Sequence, residues 1–178
     1  MGWLFTSKKD RLIQGANEFL ETIKQNGGLQ SVAADLMLKV NEKAYLQEGN
    51  ITLKETRAIR KHRGGATGIR VMKGVYIGRS QGTSHSEQVL QDIDRGTLVL
   101  TNQRLVFDGA TENRVIKLDK ILSVQMYKDA IELSLDGRAK SLFFTVENPY
   151  IWSTVFRIIQ GVPDPENLKD VNLKISFE

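Results

Sequence analysis

Apolar residues at Leu12, Ile13, Ala16, Phe19, Leu20 and Ile23 recur at helical spacing, and Gly27-Gly28 follows as a stop. The same spacing resumes at Val32, Ala33, Leu36, Met37 and Val40, which predicts a second helix over about 29–43 with these five residues as its packing stripe. From about Gln47 the period changes to two. Ile51 and Leu53 open a strand, and Val71, Val75 and Ile77 mark another. Leu98 and Leu100 alternate before a Thr101-Asn102-Gln103 turn, and Leu105 and Phe107 after it. Short strands follow at 115–118 and 121–124, then Ile131, Leu133 and Leu135. An Asp136-Gly137 hairpin turn leads to Leu142, Phe144 and Val146.

One late helix breaks this series. Asn148 is placed to cap it, Pro149 suits its first turn, and Trp152, Val155, Phe156 and Ile159 form a face that ends at Gly161. Beyond a proline-rich turn, Val171, Leu173, Ile175 and Phe177 alternate as a tail strand that could pair with a sheet edge or another chain. The pattern predicts an α+β protein: two N-terminal helices in 1–43, an antiparallel barrel with a capping helix in 44–161, and a tail over 162–178.

Composition narrows the chemistry. With 178 residues the chain suits one well-buried domain with appendages. Without cysteine it forms neither disulfides nor thiolate zinc sites, and two histidines, His62 and His85, are a poor basis for a metal centre. No run approaches the length of a bilayer span, and the N-terminus lacks the features of a signal peptide, so the expected location is cytoplasmic, with a peripheral position at the inner face of a membrane as the variant.

Charge is unevenly placed. Between Thr56 and Ser86 there is no acid, while Arg57, Arg60, Lys61, Arg63, Arg70, Lys73 and Arg79 supply seven positive charges; the net +4 less these seven leaves −3 for the remainder. Such segregation could attract an anionic partner, and the same residues would equally suit a solvated strand edge. The glycines within RKHRGGATGIR (60–70) do not form a nucleotide loop, because no Lys-Ser/Thr closes the segment and no Gly-x-Gly-x-x-Gly opens a helix. His85 beside Ser84, Ser86, Asp92 and Asp94 could be arranged as a hydrolase triad on paper, but sequence proximity does not supply triad geometry. The expectation is therefore a noncatalytic protein with no cofactor and no metal.

The run GTLVLTNQRLVFDG (96–109), with RVIKLDKILSV and IELSLDGRAKSLFFTV after it, resembles GRAM and related pleckstrin-homology-like (PH-like) domains over about residues 44–161. The matching positions are Thr101, Asn102, Arg104 and Phe107, and the similarity is greatest to bacterial members of uncharacterised function. The resemblance implies about seven strands, a capping C-terminal helix and a binding scaffold whose ligands are proteins or lipids. It also implies that the basic loop 60–70 joins the first two strands, where related domains commonly hold phosphate.

The leading expectation is a scaffold for protein–protein contact or self-association. Anionic lipid is the alternative, through the basic segment 57–79 or through Trp3, Leu4 and Phe5, which sit in a start that fits the N-myristoylation pattern. Nucleic acid ranks below both, since only Tyr76 offers a stacking surface inside the basic stretch.

Overall fold

The computed structural model describes residues 7–61 and 85–177. Helix α1 spans Lys8–Asn26. Ser7 caps it by accepting from the Asp10 N–H, the Asp10 carboxylate returns the bond, and Gly27 ends the helix in the left-handed region at φ 74°. Among the described residues seven strands follow: β1 (Ala44–Lys61), β2 (His85–Thr101), β3 (Arg104–Gly109), β4 (Asn113–Lys117), β5 (Ile121–Met126), β6 (Ala130–Leu135) and β7 (Leu142–Thr145). Helix α2 (Pro149–Gly161) completes the order.

The strands form one antiparallel sheet in the order β4-β3-β2-β1-β7-β6-β5. Strand β1 joins the two halves. It pairs with β2 along its length and, at Leu53–Glu55, with Phe144–Leu142 of β7. Register shifts between Glu48 and Ile51 and between Leu53 and Lys54 bend it, with Asn50 at φ 62° in the first irregularity. The bend brings the inner faces of the halves together, so that Phe107 of β3 lies 5.6 Å, centroid to centroid, from Phe144 of β7.

The expected α+β class and antiparallel strands are found, but the sheet does not close into a barrel. Strands β4 and β5 end the order and are not paired with each other, so the sheet curls but stays open. Close approach between β2 and β3 depends on Gly96, where a Cβ would come within 2.0 Å of the Asp108 carbonyl oxygen.

Helix α2 starts as the sequence predicts. The Asn148 side chain accepts from the Tyr150 N–H at 3.1 Å and also donates to the Leu12 carbonyl at 2.9 Å, tying the cap of α2 to the second turn of α1. Its buried residues Trp152, Val155, Phe156 and Ile158 join the inner faces of the strands in one core, to which α1 adds Leu20 and Ile23. The indole N–H of Trp152 donates to Glu48 of β1 at 2.7 Å, which locks the helix to the bent strand.

Two expected elements are absent. Residues 29–43 are not a helix but a strap, because partners elsewhere claim their backbone groups. The Val32 N–H bonds the Ala44 carbonyl at 2.8 Å, and the Asp35 N–H bonds the Gln47 side chain at 2.8 Å. The Met37, Val40 and Asn41 carbonyls accept from Arg104, Gln103 and Asn102, and Asn41 itself adopts φ 60°. A helix would have to surrender these bonds. The tail, expected as a strand, is extended but unpaired: Leu173, Ile175 and Phe177 turn toward the core, and Phe177 packs edge-on against Tyr150 of α2 at 5.3 Å.

Candidate functional site

Of the candidate anion-binding residues, Arg57 is exposed in the distal half of β1. Arg60 and Lys61 end that strand, while Arg63, Arg70, Lys73 and Arg79 lie outside the described residues, as do the Val71–Ile77 strand and Trp3, Leu4 and Phe5. The β1–β2 ladder runs to Lys61↔His85, and the rest of the basic loop expected between the first two strands lies in 62–84, outside the described residues.

Around Glu55 of β1 the rim of the sheet holds its own counter-charges. Glu55, 8% exposed, accepts from Arg138 of the β6–β7 turn at 2.8 Å and from Arg114 of β4 at 3.2 Å. Arg114 also binds Glu112. Two arginines and two carboxylates thus cancel. The Nε of Arg114, although buried, has no hydrogen-bond partner among the described residues.

Asp92 and Asp94 have partners of their own, and the side chains of Ser84, His85 and Ser86 lie outside the described ones. Asp92 pairs with Lys54 at 3.2 Å, and Asp94 accepts from the Thr111 and Glu112 N–H groups at 2.7 and 2.8 Å, which holds its carboxyl below the usual range. Among the described residues no group of three or more His, Asp or Glu is placed to hold a metal, and no helix is long and apolar enough to cross a membrane.

The most built constellation lies at the other end of β1, around the Thr101-Asn102-Gln103-Arg104 turn. Glu42, 5% exposed, is held by the Arg104 guanidinium (Nε–Oε1 2.8 Å, Nη2–Oε2 3.2 Å), by the Thr101 hydroxyl at 2.8 Å and by the Lys39 N–H at 2.7 Å. Burial works to raise the Glu42 pKa, but these donors outweigh it and set the value at about 2. Asn102 accepts from the Lys43 N–H at 2.9 Å and donates to the Asn41 carbonyl at 3.0 Å. Thr101 also accepts from the Gln103 and Arg104 N–H groups.

The turn residues that resemble a family motif therefore satisfy backbone groups, as their types predict. Arg104 does more, because it neutralises a buried acid 62 positions earlier in the chain.

The consequence is a strap fixed in place. It is anchored at Gln47 of β1 and at Arg104 of β3, and between those anchors lie Val99 and Val106, both buried on the outer face of the sheet. Leu36 is half-buried, whereas Met37 is 90% and Val40 86% exposed, with Val32 and Leu38 exposed beside them. The stripe expected to pack is thus largely presented to solvent. Sequence reading missed both buried acids, Glu42 and Glu55, since an isolated Glu beside polar neighbours is normally a surface residue.

Neither protein-family models nor curated proteins match this chain. Among solved structures, the chain is similar to the C-terminal domain of an unknown protein from Leishmania infantum. That alignment has 13% identity, covers 64% of this chain and 85% of that one, and has a TM-score of 0.33.

Proposed function

We propose that the chain is a noncatalytic binding or scaffold module of the PH-like, GRAM-like kind that works through protein–protein contact. The strand order supports the family reading: a four-strand meander and a three-strand meander meet through β1 and β7, with a C-terminal helix packed where they join. The observation that carries the functional reading is the strap, which holds Met37 and Val40 in solvent on a backbone fixed by the Thr101–Arg104 turn. Exposed apolar side chains on a pre-ordered backbone gain burial on contact without a large ordering cost. The rim around Glu55 favours protein over anionic lipid, because Glu55 and Glu112 offset Arg114 and Arg138 there and leave these arginines no free charge for a headgroup.

The test is affinity capture from the native cell with the full chain and with the Met37→Asp/Val40→Asp double variant, alongside flotation on phosphatidylserine vesicles. Both side chains are exposed, so the melting temperature should hold while a set of captured proteins is lost. An unchanged capture set combined with vesicle binding that disappears on deletion of residues 1–10 would replace this reading with a membrane one.

A further inference from the structure

We propose that the outer edge of β4, together with the adjoining strap, takes an extended, acid-bearing segment of a protein partner as an additional strand; this inference rests on the protein-contact reading above. Three observations converge on it.

First, β4 ends the sheet, and among the described residues its only ladder is to β3. Its remaining backbone groups are a template for pairing. The opposite edge, β5, is less open because α2 packs against it.

Second, the edge continues into the apolar strap. Val115 of β4 is 60% exposed and pairs with Val106, which in turn pairs with Val99 beneath the strap. A strand laid on β4 would set alternate side chains on the outer face, beside Val115 and within reach of the strap.

Third, charge selects the occupant. β4 reads Asn-Arg-Val-Ile-Lys with no acid, and Arg114 already spends its charge on Glu55 and Glu112. Lys117 on the edge and Lys39 on the strap are left to face the newcomer, and neither has a salt-bridge partner among the described residues. An acidic segment complements them. A second copy of β4 would bring its own Arg and Lys to the same edge, where like charges oppose pairing. A bilayer is equally unsuited, because open strand-edge groups cannot be satisfied in hydrocarbon.

A display library of random nonamer peptides, selected on the full chain, supplies the probe. Selected peptides should alternate β-branched or aromatic residues with polar ones and carry acids in excess of the unselected pool. Methylating alternate backbone nitrogens of the best peptide should weaken it at least about ten-fold, the loss expected when ladder hydrogen bonds go. Val115→Lys should weaken it similarly with an unchanged melting temperature, and Lys117→Glu should shift selection toward basic peptides.

Recovery of no peptide that binds the full chain above the unselected pool overturns the proposal. So does a peptide indifferent to backbone methylation or to Val115→Lys. If light scattering shows a dimer that Val115→Lys dissolves, the edge belongs to a second copy and the proposal falls. If the Met37→Asp/Val40→Asp variant loses captured proteins while Val115→Lys keeps them, protein contact stands and the β4 site alone is rejected.

Discussion

Arg104→Met should cost the fold about 3–5 kcal/mol, the range for leaving one member of a buried ion pair without its partner. The aliphatic part of the side chain is kept, so the loss is that of the guanidinium, which holds both oxygens of Glu42 and the Met37 carbonyl. Urea unfolding should show a lower midpoint with little change in slope. A variant within about 1 kcal/mol of the parent, the level of an exposed pair, would mean that Glu42 is not held as described.

The effect also carries a pH signature. The Glu42 pKa is lowered from 4.5 in the unfolded chain to about 2 in the folded one, so its stabilisation is complete above pH 4.5 and is lost as pH falls toward 2. Without Arg104 the opposing effect of burial dominates, and protonation becomes favourable at higher pH. The gap between parent and variant should therefore narrow steadily as pH is lowered through that window. Pairing Arg104→Met with Glu42→Leu should recover only part of the loss, because the Lys39 N–H and the Thr101 hydroxyl also rely on the carboxylate.

Deleting residues 163–178 should lower the melting temperature by about 6–12 °C, the shift expected for a loss on the order of 3 kcal/mol in a chain of this length. The segment closes a corner of the fold: Leu29 N–H bonds the Pro165 carbonyl at 2.8 Å, and Leu168 N–H bonds the Gly27 carbonyl at 2.7 Å. Lys43 meets Glu166 at 2.5 Å, and Leu168 is part of the core. Gly28 permits the contact, since a Cβ there would lie 2.1 Å from the Glu166 carbonyl oxygen. Burial of Leu168 alone stabilises by about 2 kcal/mol, and the half-buried tail residues add to it, offset by the ordering entropy of the segment. Calorimetry of the truncated chain decides: a melting temperature within about 2 °C of the parent, under 1 kcal/mol at this size, would show that the tail is an independent docking element.

Local signals were the legible ones. Asn148-Pro149, Asp136-Gly137, Gly27 and the period-two runs at 98–107 and 131–144 each fix geometry within a few residues, and each marks an element boundary or face found in the structure. The strap and the tail show where such signals fail. Val32, Ala33, Leu36, Met37 and Val40 have helical spacing, yet the hydrogen bonds that decide their conformation come from Gln47 and from a turn more than 60 positions away. In the tail, Leu173, Ile175 and Phe177 alternate with exposed residues because one side of the segment meets apolar surface, while Val171 is exposed. That surface includes a helix, and alternation carries no information about whether a ladder lies beside it.

The candidate site was legible only in part for the same reason. The cluster of like charges at 57–79 can be counted from the sequence, but the neutralisation of the rim cannot, because Glu55 meets its arginines 59 and 83 positions later.

The double role of β1 governs the order in which the chain can fold. Its first partner, β2, is the next described strand, but β7 arrives about 90 residues after Leu53, and contacts so distant in sequence form slowly. During synthesis the four-strand meander can assemble first. Its end strand, β1, then waits with one edge bare and with Leu53 lacking Phe144 beside it, until the final hairpin docks and α2 seals the joint. Conditions that delay emergence of residues 142–161 should therefore favour aggregation of the nascent chain over misfolding of the finished one.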